Sequence, residues 1–222
     1  MLLGANPNLP RFTYFHPVEL YRFFKLEEHA DALCRGHVYL GKLEACRRCE
    51  DPQRGDIGEG KTTYHSGVIT GSHGDPHFDH VARQFGGLGF GSKNMTISNC
   101  RAVTELPDAW VLCLTMLPKS PDIETVGRYG VRIADPVLFF DRVTNALNHR
   151  IAMRVAAFGP ISYASRDYGG LEMRPGPSAL VKPECYAHQR EARMLWHPMQ
   201  TPISPRIIDR HNIAAFCKRI PS

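Results

Sequence analysis

Long apolar runs are missing from this chain: no stretch approaches the ~18 consecutive apolar residues that a membrane-crossing helix needs. The opening MLLGANPNLPRF has no basic start followed by an extended apolar segment, so it does not read as a secretory signal. The seven cysteines are odd in number and their spacing draws no small-domain disulfide framework, which reads as a reduced, cytoplasmic protein with no membrane partner. Internal repeats are absent, and so is a GxSxG nucleophile motif. The Gly-rich QFGGLGFGSKN (Gln84–Asn94) lacks the spacing of a GxxxxGK[ST] phosphate loop and has no clear strand and helix around it. No cysteine sits in the sequence context of a reactive thiol.

What is present suits a globular protein. The 222 residues are 43% apolar and 22% charged, enough for a substantial core and too little charge for wholesale disorder. The reading is one domain over 1–222, with 61–105 as a long Gly/His-rich loop insertion. The formal charge of +5 is unevenly spread: residues 1–60 carry eight Lys/Arg against nine Asp/Glu, residues 182–222 seven against three. A basic C-terminal part suits a phosphate-bearing ligand or nucleic acid, and equally a solvated surface.

Alternation in VELYRFF (Val18–Phe24) predicts a strand with Arg22 on the same side as Leu20 and Phe24. A charge on an apolar face is costly unless paired. A helix over LEEHADALC, stopped at Gly36, and a short strand at HVYLGK follow. Residues 50–105 are dense in glycine and weak in period, predicting long loops with one helix near Phe78–Phe85. AWVLCLTMLP (Ala109–Pro118) is apolar on both faces, the pattern of a central strand, and Thr115 is its only hydroxyl. A strand at YGVRIAD precedes a helix opened by Asp135 as N-cap and Pro136 at the first turn, with Val137, Phe140, Val143 and Leu147 as its buried stripe. A short strand at FGPISYAS comes before the last long one, QREARMLW, whose alternation puts Gln189, Glu191, Arg193 and Leu195 on one face. Strands and two or three helices in irregular order predict α+β.

Metal chemistry has two weak candidates. Cys46-x-x-Cys49 has zinc spacing without a second ligand pair. His73, His77 and His80 would share a helical face, but a polar loop containing Pro76 explains them as well, and no metal is expected. Three oddities on separate strands remain: Arg22, Thr115 and Gln189-x-Glu191.

Arginine on an early strand, Ser/Thr on a middle one and [Gln/Glu]-x-Glu on a late one resembles the ADP-ribosyltransferases of the Arg-Ser-Glu type. LYRFF (Leu20–Phe24), RRCEDPQRGDIGEG (Arg47–Gly60), WVLCLTML and KPECYAHQREAR (Lys182–Arg193) also resemble an uncharacterised bacterial and phage family. The resemblance implies two packed antiparallel sheets with NAD, a co-substrate, in the cleft between them. It implies that Arg22 contacts the NAD phosphates or a ribose, and that Thr115 braces the nicotinamide ribose and the neighbouring strand. Glu191 is then the catalytic carboxylate, Gln189 orients an unidentified protein or nucleic-acid acceptor, and Tyr186 packs on the substrate. NAD hydrolysis and a role as a toxin or conflict-system effector belong to the same expectation. Two other classes stay open: a non-catalytic nucleotide or nucleic-acid binding module of the same fold, and a metal-dependent nucleic-acid-processing enzyme using the histidine cluster.

Overall fold

A computed structural model describes residues 9–13, 16–48, 56–120, 124 and 126–221. In chain order these form β1 (Arg11–Thr13), β2 (Glu19–Phe24), α1 (Glu27–Cys34), β3 (His37–Lys42) and α2 (Leu43–Arg48). Next come β4 (Lys61–His65), β5 (Val68–Gly71), α3 (Pro76–Gln84), β6 (Met95–Ser98) and β7 (Arg101–Glu105). The middle holds β8 (Trp110–Thr115), β9 (Tyr129–Ala134), α4 (Pro136–Asn148), β10 (Met153–Pro160), β11 (Ser162–Tyr163) and β12 (Asp167–Gly169). Last are β13 (Val181–Lys182), a 3-10 turn at Glu184–Gln189, β14 (Glu191–Pro198), β15 (Arg206–Asp209), α5 (His211–Ala214) and β16 (Cys217–Arg219). The class is α+β, with several sheets and few helices.

The chain divides into two compact units. The first, residues 1–59, 107–161 and 185–222, holds a nine-stranded sheet whose main path runs β1-β10-β14-β8-β2-β9-β16. All its pairings are antiparallel except β1 with β10. Strand β8 gives one edge to β14 along its whole length. Its other edge is shared: β3 pairs at Trp110 and Val111, β2 only at Thr115. The sheet therefore branches at β8 into a β3–β15 arm and a β2–β9–β16 arm.

Alternation sorts β8 and β14 into two faces. Trp110, Leu112 and Leu114 join Ala192, Met194 and Trp196 in the main apolar cluster, with Phe139, Phe140, Val143 and Leu147 of α4. Helix α4 starts where the sequence demands: the Asp135 carboxylate accepts the Leu138 N–H at 3.1 Å, and Pro136 needs no N–H partner in the first turn. Its buried stripe includes Phe139 as well as Phe140, while Val137 packs only partly. Trp196 Nε1 donates to Thr144 Oγ1 at 2.8 Å, and that hydroxyl donates to the Phe140 carbonyl at 2.7 Å, so the indole is buried with its polar atom satisfied.

The second unit, residues 60–106 and 162–184, corrects the expectation of a loop insertion over 61–105. Four short strands and α3 occupy that stretch. Strand β4 lies between β12 and β7, β5 pairs with β6, and α3 buries Phe78, Val81 and Ala82 with Tyr64 and Ile97. KTTYH, VITG, MTIS and RAVTE are rich in β-branched residues but too short and too hydroxyl-rich to show a period in apolarity alone. The helix lies at Pro76–Gln84, and the HGDPHFDH segment serves to start it. Asp75 accepts from the His77 and Phe78 N–H groups, Pro76 occupies the first turn, and Asp79 is buried facing the Gly74 N–H. Among the described residues no helix is long and apolar enough to cross a membrane.

Candidate functional site

The second face of β14 is as buried as the first but charged. Arg193 is 1% exposed, and its Nη1 donates to Glu59 Oε1 at 2.6 Å. Its Nε and Nη2 donate to Glu191 Oε1 at 3.0 and 2.8 Å. Glu59 and Glu191 are 1% and 5% exposed. Burial opposes the charge on Arg193, but Glu191 and Glu59 outweigh it and hold the guanidinium firmly protonated.

A thiol pair adjoins the cluster. Cys113 lies directly across from Arg193 on β8, and Cys46 of α2 hydrogen-bonds with it. That bond, with help from Arg193, lowers the Cys46 pKa against the effect of burial. The same bond and burial, with Glu191 nearby, push Cys113 well up.

The start of β14 is fixed by β8. Arg190 takes a left-handed backbone conformation, φ 44°, between the 3-10 turn and the strand. Thr115 Oγ1 donates to the Gln189 carbonyl at 2.8 Å and accepts the Leu117 N–H at 3.1 Å, while the Met116 N–H bonds the Arg190 carbonyl at 2.9 Å. Glu191 is thus set directly opposite Thr115. The row continues: Thr115 faces Tyr21 of β2, and Tyr21 faces Arg132 of β9. Arg132, Tyr21, Thr115 and Glu191 form one cross-strand line over four neighbouring strands, on one face. The Tyr21 hydroxyl donates to Glu19, which raises the phenol pKa, and Arg132 Nη1 lies 3.4 Å from Glu19 Oε2.

Among the sequence-derived site residues, the structure brings Thr115 and Glu191 side by side. Gln189 and Tyr186 are half-buried in the 3-10 turn, so Gln189 precedes the strand instead of sharing the Glu191 face. Arg22 lies on the strand adjacent to Thr115 but, one residue from Tyr21, on the opposite face. It reaches across the branch of the sheet, Nη1 to the Tyr39 carbonyl of β3 at 3.3 Å, with its guanidinium over the Phe24 ring. Cys49 lies outside the described residues. Among those described, no group of three or more His, Cys, Asp or Glu is arranged to hold a metal.

Sequence reasoning missed Glu59, Arg193, Tyr21 and Arg132. Glu59 and Arg193 stood inside the motifs DIGEG and EAR, but their pairing spans 134 positions and leaves no trace in spacing. Compared with family models, with curated proteins and with solved structures, the chain finds no match.

Proposed function

We propose that the protein is an NAD-consuming ADP-ribosyltransferase, able also to hydrolyse NAD, with a macromolecular acceptor. One observation supports this above the rest: Glu191 and Thr115 stand directly opposite each other on β14 and β8, on the face that Arg132 shares. In the reaction the C–N bond between ribose and the cationic nicotinamide breaks, its electron pair leaves with neutral nicotinamide, and the ribosyl carbon becomes cationic until an acceptor or water attacks. A fixed carboxylate in a dry site stabilises that cation. The row supplies a hydroxyl at Thr115 for a ribose and a guanidinium at Arg132 for phosphate oxygens. Neighbouring strands stand roughly 4.8 Å apart, so the four-strand row extends for about 14 Å. On this reading Arg132 is the phosphate-side cation on the Glu191 face, and Arg22 acts at the branch between β2 and β3. Gln189 and Tyr186, in the turn just before Glu191, are the side chains placed to meet an acceptor.

A second reading rests on the salt bridge itself. A carboxylate engaged by a buried arginine stabilises the fold, and the protein would then bind nucleotide without turnover. The test is nicotinamide release from NAD, with cell extract supplying acceptors, alongside NAD affinity. Glu191→Gln should lower release on the order of 10²–10³-fold with affinity largely retained, because charge and not shape is deleted. Arg193 keeps Glu59 in that variant, so circular dichroism should report a folded protein. Unchanged release in folded Glu191→Gln rules the mechanism out. NAD binding by the unaltered protein with no release assigns the binding module.

A further inference from the structure

A cleft of about 550 Å³ lies between α4 and the β15–α5 junction, lined by Arg142, Asn145, Ala146, His149, Arg210, His211 and Asn212. Its volume is that of a small-molecule site. Every lining residue but Ala146 carries a hydrogen-bond donor, and none is acidic. The neighbouring acids are engaged elsewhere: Asp141 pairs with Arg11 at 3.1 Å and Asp209 with His37 at 3.4 Å. Among the described residues, the guanidinium groups of Arg142 and Arg210 make no ion pair, although both are exposed. Asn145 Oδ1 accepts from Arg11 at 2.7 Å, and its amide nitrogen is a further donor. Helix α4 packs on the apolar face of the sheet, so this cleft stands on the other side from Glu191.

We infer that the cleft is an anion site for a phosphate group carried by a small polar molecule, separate from the Glu191 row. Two guanidinium groups from different elements can grip a phosphate from two directions, each offering a planar pair of N–H donors. Asn145 and Asn212 supply neutral donors to the remaining oxygens or to the group that bears them. The lining holds no Phe, Tyr or Trp ring on which successive bases stack, and the cleft is one bounded volume of about 550 Å³. That favours a small phosphorylated ligand over a nucleic-acid track.

The test is calorimetric titration of the full chain with inorganic phosphate and with glycerol phosphate at constant ionic strength. Arg142→Gln and Arg210→Gln should each weaken binding about tenfold or more, the loss of a charge-assisted bond, and together abolish it. Arg150→Gln, an exposed arginine outside the lining, should bind as the unaltered protein does, and nicotinamide release should be unchanged in all three. Because the substituted side chains are exposed, the variants remain folded. Phosphate binding that survives the double substitution overturns the proposal. So does an anion preference no greater than for chloride, or binding of an oligonucleotide where neither small phosphate binds.

Discussion

Strand β14 has two faces that are equally dry and differently built. Ala192, Met194 and Trp196 pack into the main apolar cluster, where contact is non-directional and each neighbour can shift slightly. Glu191 and Arg193 alternate with them in sequence, and Arg193 donates both to Glu191 and to a carboxylate brought from position 59, through hydrogen bonds at fixed angles. Burial is the same and tolerance is not. An apolar face loses stability by degrees when altered, whereas an ionic face fails when one partner is removed, because the others remain charged and dry.

Near-isosteric substitutions on adjacent residues expose the contrast most strongly. Arg193→Met keeps length and removes charge, depriving Glu59 and Glu191 of the buried guanidinium that joins them. Urea unfolding should show a loss of about 3–5 kcal/mol. Met194→Leu, one residue on and facing the other way, should cost less than about 1.5 kcal/mol. Equal losses would mean that the ionic face is no more exacting than the apolar one. Adding Glu59→Gln and Glu191→Gln to Arg193→Met should recover much of the first loss, since it removes the stranded charges.

A smaller effect is expected at the junction of the faces. Thr115→Val keeps the shape of the strand but deprives the Gln189 carbonyl and the Leu117 N–H of their shared hydroxyl. Stability should fall by about 1–3 kcal/mol, with Thr115→Ser close to neutral. If Val and Ser behave alike, the hydroxyl does not anchor the turn before Glu191.

The smallest effect concerns His197, further along the charged face and 6% exposed. Burial, aided by Arg154, lowers its pKa from the usual 6.5. In the window below 6.5 the unfolded chain binds a proton that the folded one refuses. Unfolding free energy should therefore be level in this contribution above pH 6.5 and decline as pH falls below it. Replacing His197 with Asn should flatten that part of the profile, and an unaltered slope would show that another group titrates there.

Much of the first unit was legible because its elements announce themselves locally. The start of α4 was readable from Asp135 and Pro136, and the two-faced apolarity of WVLCLT marked a central strand. Apart from α3, the second unit was not legible, since its strands are two to five residues long and bury few side chains each. At the site, adjacency of Thr115 and Glu191 followed from two strands sharing an edge, but the alternation that placed Arg22 on an apolar face also removes it from the Glu191 side. Among the described residues, the arginine buried most deeply is Arg193. It looked ordinary in QREARMLW because its partner Glu59 arrives from a loop far away in the chain.

The place of β14 also shapes how the chain reaches its native state on the ribosome. Its strand lies between β10 and β8 yet is synthesised after both, so each waits with an unpaired edge until residues 191–198 emerge. Pairings this distant in sequence make for slow folding, and a nascent chain stalled before Glu191 carries two open edges, the form in which β-rich intermediates join one another. The charged cluster completed by Arg193 forms only when that strand is in place, so any activity of Glu191 waits on the closing of the central sheet.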